Sequence, residues 1–156
     1  MDTSIFDRLS AGVLTAGAGE TQSLAEAFAR ALPADSVVAL HGDLGAGKTT
    51  WVQGMARAFG VDEAVTSPTF TIYTLHRGSN RLLAHIDAYR LDRAEQMEDL
   101  LLEDFLTSPW CVAVEWPEKV GSWLPAGAWH LDLAIETAGR HRIRLTRSPP
   151  APSTGA

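Results

Sequence analysis

An apolar run, Val37 to Leu40, leads at once into the glycine-rich segment HGDLGAGKTT, His41 to Thr50. A stretch with Trp51, Met55 and Phe59 at helical spacing follows. Consecutive apolar residues of this kind form a strand buried on both faces, and such strands belong to sheets covered on two sides. Strand, glycine loop and helix in direct succession point to an α/β fold and leave little freedom for another class. Gly60 is the predicted C-cap of the helix. Gly42, Gly47, Lys48 and Thr49 fit the spacing G-x-x-x-x-G-K-[ST], and each residue type has a physical reason. The glycines let backbone N–H groups turn inward around phosphates, and the helix N-terminus adds the positive end of its dipole. Lys48 is placed to reach the β and γ phosphates and the Thr49 hydroxyl to ligate Mg²⁺.

Upstream, Leu24, Phe28 and Leu32 recur every four residues with Ala27 and Ala31 beside them, which predicts a helix ended by Pro33. Ser23 and Glu26 are its predicted capping box. Residues 1–20 carry little pattern. Downstream, FTIYTLH and RLLAHID flank Arg77 to Asn80 and predict a β-hairpin. An acidic helical segment is predicted from Arg93 to Leu106, with Met97, Leu100, Leu101 and Phe105 on one face. WCVAV then predicts a second fully buried strand, ended by Glu115. Trp129–Ile135 and Arg142–Leu145 read as two late, edge-type strands. No internal repeat is visible. Residues 1–147 read as a single domain, and the Pro/Ser/Ala-rich residues 148–156 as a disordered tail.

With 46% hydrophobic and 21% charged residues the composition is that of a globular domain, which excludes a disordered chain, a coiled coil and a collagen-like repeat. Lys and Arg number 13 against 19 Asp and Glu, a net charge of −6. Such a surface repels phosphate backbones, so tight direct binding of nucleic acid is not expected. No apolar stretch approaches the roughly 18 residues of a membrane span. MDTSIFDRLS lacks the basic start and apolar run of a secretory signal, so the expected location is cytoplasmic, with no membrane partner. The single cysteine, Cys111, lies in an apolar run and reads as a core residue. His41, His76, His85, His130 and His141 are scattered and show no pair at metal-ligand spacing.

A nucleotide-hydrolysing site also needs an acid at the end of a neighbouring strand, to hold the metal or position water. Asp87, ending RLLAHID, and Glu115, ending WCVAVE, are the two candidates, and either residue type also occurs as an ordinary strand-end acid. The phosphate loop favours Glu115 as a metal-site residue. It leaves Asp87 as a second metal contact or as the residue that orients the attacking water. Trp116, next to Glu115, is expected near the site. Ser67-Pro68-Thr69 is either a loop entering a strand or a switch whose hydroxyls sense a γ-phosphate. No N/T-K-x-D element of guanine-specific enzymes occurs, which favours ATP. A small-molecule P-loop phosphotransferase is the alternative, but it needs an acceptor site and an arginine-bearing lid for which little chain remains.

The set HGDLGAGKTT, SPTFTIY, HIDAYRL and VEWPEK, in this order and at these spacings, resembles the TsaE (YjeE) family of bacterial tRNA threonylcarbamoylation proteins. The resemblance runs to about Leu145. It implies a P-loop NTPase-like α/β fold whose mixed β-sheet includes the hairpin and is flanked by helices. It implies a Mg²⁺-dependent ATPase, weak alone and stimulated by its partners, acting on the TsaB–TsaD complex. That complex forms threonylcarbamoyl-adenosine next to the anticodon of tRNAs reading codons that begin with A, so tRNA is met only through the complex. By motif, Asp43, Leu44, Gly45, Ala46, Gly47 and Lys48 wrap the phosphates, with Thr50 following. Thr49 and Glu115 hold Mg²⁺, and Asp87 matches the family's activity-critical acid. Glu20 or Thr21, and Gly139 with Arg140, fall where the family contacts the nucleotide. The sequence departs from the family at His41, where Tyr is common, and in its proline-rich tail.

Overall fold

A computed structural model describes residues 4–66 and 72–149. The elements run α1 (Ile5–Ala11), β1 (Val13–Thr15), α2 (Ala18–Ala31), β2 (Ser36–His41), α3 (Lys48–Ala58), β3 (Tyr73–Arg77), β4 (Leu82–Asp87), α4 (Gln96–Asp99), β5 (Trp110–Glu115), β6 (Trp129–Thr137) and β7 (Arg140–Arg147). All seven strands join one mixed sheet in the order β1-β7-β6-β2-β5-β4-β3. β2 runs parallel to both β5 and β6, and β4 parallel to β5, while β3–β4, β6–β7 and β1–β7 are antiparallel. This is the α/β fold with a hairpin in a mixed sheet.

The continuous apolar strands are explained by two cores, one on each face of the sheet. Val38, Leu40, Leu83, Cys111 and Ala113 face the helices, where they pack with Phe28, Trp51 and Met55. Val37, Ala84, Ile86, Val112 and Val114 face the opposite layer, built from short turns around Leu91, Met97, Leu102 and Val120. Successive residues of a strand point to opposite faces, so a strand covered on both sides shows no polar alternation. Fully burying Phe28 or Met55 stabilises the fold by roughly 1.5–3 kcal/mol each. Arg81 is buried at the start of β4 and donates to the carbonyls of Leu32, Pro33 and Trp110, tying the hairpin to the end of α2 and the start of β5.

Several expectations need correction. α2 begins five residues before Ser23, so Ser23 and Glu26 form no capping box; Glu26 instead pairs with Arg30 at 2.5 Å. The segment from Arg93 to Leu106 is not one helix. It consists of α4 and a 3₁₀ turn at Leu102–Phe105, broken where Leu101 takes a left-handed conformation with φ 52°. Met97 and Leu102 are buried, whereas Leu101 and Phe105 are exposed, so the apolar face read from helical spacing does not form. β6 and β7 are interior strands, because β1, unseen in the sequence, covers the outer side of β7 over three residues. α1 was likewise unmarked by pattern; Ser4 caps it by accepting from the Asp7 N–H. The suggested switch Ser67-Pro68-Thr69 lies outside the described residues, as does the tail from residue 150.

Candidate functional site

The phosphate loop follows the C-terminal end of β2, and the ends of β4 and β5 lie beside it because all three strands run parallel. Asp87 and Glu115 are register partners at those ends. Parity fixes their direction: Cys111 and Leu83 face the helices, so Glu115, His85 and Asp87, spaced by twos from them, face the α3 side as well. The Thr49 hydroxyl, in the first turn of α3, donates to Glu115 Oε2 at 3.1 Å. Glu115 is buried, and its Oε2 is also 2.5 Å from His85 Nε2. Asp87 Oδ1 accepts from the Tyr89 N–H at 3.1 Å.

Gly42, Gly45 and Gly47 stand at φ 152°, 84° and 103°, the positive range that lets a loop turn its N–H groups to one side. At Gly42 a Cβ would also run into the Leu133 carbonyl of β6. Lys48 is buried and closes the loop on itself, its Nζ donating to the Gly42 carbonyl at 2.6 Å. The same ammonium lies 3.5 Å from the centre of the Trp116 indole. Trp116 sits in the left-handed region at φ 60° ahead of Pro117, a bend that carries its ring out of the line of β5 and over Lys48. Burial pushes the Lys48 ammonium below the ordinary lysine value; Glu115, Glu118, Asp87 and Asp43 oppose that shift.

These groups line a cavity of about 290 Å³ that contains Gly45, Gly47, Lys48, Thr49, Thr50, Leu44, Asp87, Tyr89, Glu115 and Trp116. Asp43 and Ala46 lie on the other flank of the loop, in a cavity of about 340 Å³ shared with β6. Glu20 is separate: it lines a cavity of about 430 Å³ between β1 and α2 and accepts from the Ala16 N–H. Thr21 is buried, with its hydroxyl 2.7 Å from that of Thr15. Gly139 lies in the turn from β6 to β7 and Arg140 opens β7, and neither lines these cavities; their neighbour His141 reaches the loop, with Nδ1 2.9 Å from the Ala46 carbonyl oxygen.

The cavity therefore brings Lys48, Thr49, Asp87 and Glu115 together, and three residues given no role from the sequence stand beside them. His85 contacts Glu115, Tyr89 packs against Trp116 with ring centres 5.2 Å apart, and His141 touches the loop. The i, i+2 relation of His85 to Asp87 carried the signal for His85. Nothing local marked His141, which is brought in by β7. Two of the scattered histidines also meet: His41 Nε2 is 2.8 Å from His130 Nδ1.

The donor set fits a hard divalent ion. A threonine hydroxyl and a carboxylate stand together, and Mg²⁺ is usually held by one or two carboxylates together with substrate phosphates and water. Among the described residues no group of three His, Cys, Asp or Glu side chains forms a cage of its own. No helix among the described residues is long and apolar enough to cross a membrane.

Comparison with known proteins gives a consistent picture. The profile of the family described as threonylcarbamoyl adenosine biosynthesis protein TsaE matches residues 15–144. The chain is 36% identical over 116 residues to the tRNA threonylcarbamoyladenosine biosynthesis protein TsaE of Treponema pallidum, covering 74% of this chain and 85% of the relative. It is 35% identical over 127 residues to the Bacillus subtilis protein of that name, covering 81% and 78%. The crystal structure of Bacillus subtilis YdiB superposes with a TM-score of 0.71 at 28% identity, covering 86% of this chain and 82% of that one.

Proposed function

The chain belongs to the TsaE family of tRNA threonylcarbamoyladenosine biosynthesis proteins, and from that premise we propose that it binds and hydrolyses ATP with Mg²⁺ in the service of a TsaB–TsaD pair. The observation that carries the reading is the Thr49–Glu115 contact beside a closed phosphate loop, with Asp87 in register next to it. The backbone N–H groups of residues 43–48 bind the phosphates. Lys48 exchanges its bond to the Gly42 carbonyl for the β and γ phosphate oxygens. Thr49 and Glu115 hold the metal, which supplies charge neutralisation on the transferred phosphoryl group. Asp87 orients the attacking water or contributes a second metal contact. Trp116 and Tyr89, packed against each other with ring centres 5.2 Å apart, line the same cavity and offer aromatic surface beside the phosphates.

An acidic chain of net charge −6 suits a partner that reaches tRNA only through the TsaB–TsaD pair, in the cytoplasm. The test is ATP hydrolysis by the purified chain, alone and with that pair. Weak basal turnover that rises on adding the pair supports the reading. Turnover indifferent to the pair removes the partner assignment, and absence of turnover in both conditions removes the enzymatic one.

A further inference from the structure

We propose that His85 is a positioning residue for Glu115: it fixes the carboxylate so that one oxygen is engaged by the protein and the other is presented to the metal. The proposal rests on the Mg²⁺–ATP reading given above. His85 is fully buried in β4, and its Nε2 lies 2.5 Å from Glu115 Oε2. Its other nitrogen, Nδ1, is buried and has no hydrogen-bond partner among the described residues. With no acceptor at Nδ1, the ring carries its proton on Nε2 and donates it to the carboxylate.

That arrangement differs from a histidine satisfied by the core around it. A buried polar atom without a partner is costly. The ring tolerates one such atom, and its single hydrogen bond goes to the acid beside the phosphate loop. Thr49 donates to the same oxygen, Oε2, so two donors from two different elements converge on it. Glu115 Oε1 has no protein partner among the hydrogen bonds of the described residues and remains for an ion. Parity makes the geometry possible, since His85 and Glu115 both face α3 from adjacent parallel strands. Outer partners that orient a ligating carboxylate act in this way in metal sites generally.

The test compares His85→Leu, His85→Gln and His85→Asn with the wild type. Binding of ADP is measured by calorimetry across a Mg²⁺ titration and again in EDTA, with chemical unfolding of each variant alongside. Glutamine places an N–H donor about as far from the backbone as Nε2, and asparagine stops short. In His85→Leu, ADP affinity in EDTA is expected within about 2-fold of wild type, and the half-saturating Mg²⁺ concentration to rise by about 10-fold or more. His85→Gln returns that concentration to within about 3-fold of wild type and His85→Asn does not. A Mg²⁺ requirement unchanged in His85→Leu, or equal in the glutamine and asparagine variants, overturns the role of His85. If His85→Leu does not fold, the glutamine–asparagine comparison decides alone. A wild type that binds ADP identically in Mg²⁺ and EDTA overturns the reading of the site itself, and the role of His85 with it.

Discussion

The Thr49 hydroxyl and the Glu115 carboxylate, 66 residues apart in the chain, meet at 3.1 Å between the first turn of α3 and the end of β5. If this pair holds one metal, its members act as a unit. Glu115→Gln and Thr49→Ala are each expected to reduce ATP hydrolysis by about 10²-fold, and the double variant to be little worse than the poorer single one. Nucleotide affinity in EDTA should change by no more than about 3-fold, because the loop N–H groups are untouched. Full multiplicative losses in the double variant would show that the two residues work independently.

Lys48 gives the alkaline limit of binding. Its ammonium is held below the ordinary lysine value, chiefly by burial, with Glu115, Glu118, Asp87 and Asp43 opposing. A lowered value means that the free protein loses this proton at a pH below that of an exposed lysine. Phosphates bind the charged form. Affinity for ATP should therefore weaken as pH rises through the lowered value, by at most about 10-fold per pH unit. Equilibrium binding from neutral pH up to about the ordinary lysine range, near 10.4, reads this directly. A decline that begins no lower than that of an exposed lysine contradicts the downward shift, and Lys48→Arg should move the decline to higher pH.

Cys111 is enclosed between the sheet and the helices, and burial pushes its thiol up to about 12. The thiolate is the reactive form, so at pH 8 about one molecule in 10⁴ carries it. A thiol reagent at pH 8 should leave the folded protein unlabelled and react fully with one equivalent in 6 M guanidinium, roughly the denaturing strength that unfolds most domains. Labelling at equal rates in both conditions would place Cys111 elsewhere.

Gly54 sets the approach of α3 to α2. A Cβ there would run into the Gln22 carbonyl oxygen and come within 2.7 Å of the Ala25 methyl. Helical propensity favours alanine over glycine by about 1 kcal/mol. The obstruction is backbone, which cannot swing aside as a flexible side chain would, so overpacking of about 1–3 kcal/mol should win. Gly54→Ala is expected to lower stability in urea, and Gly54→Val to lower it further. A stabilised Gly54→Ala would mean that the helices separate at no cost.

The parts of this fold that were legible in the sequence are those set by local chemistry. The run Val37–Leu40, the loop glycines and the hairpin around Arg77–Asn80 each follow from burial or turn geometry within a few residues. What stayed hidden depends on distant partners. β1 is three residues long and exists as a strand because β7 pairs with it. The spacing of Met97, Leu100, Leu101 and Phe105 suited a helix, yet burial of Leu102 in the second core and the left-handed Leu101 break it into turns. Asp87 and Glu115 were visible as strand-end acids. That they stand side by side required the parallel register of β4 and β5. Glu20, Thr21, Gly139 and Arg140 came from resemblance alone, and none of them lines the cavity that holds Lys48.

His41, directly before Gly42, and His130 of β6 form a contact of two titratable side chains beside the loop. Their nitrogens are 2.8 Å apart and their rings stack at 5.1 Å. Burial first, then His41 and Arg147, hold the His130 imidazole below the ordinary histidine value, with Asp132 opposing. The sign follows from linkage. Between the ordinary value, near 6.5, and the lower folded one, the unfolded chain binds more protons, so stability falls as pH drops through that window and the loss is complete below it. The thermal midpoint should therefore decrease from pH 7 to pH 5, and His130→Asn, which keeps a hydrogen-bond acceptor near Nδ1 but does not titrate, should flatten part of that decrease. At pH 7.5 the two proteins should differ little. A wild type and His130→Asn that lose stability in parallel over this range would remove the histidine pair as the cause.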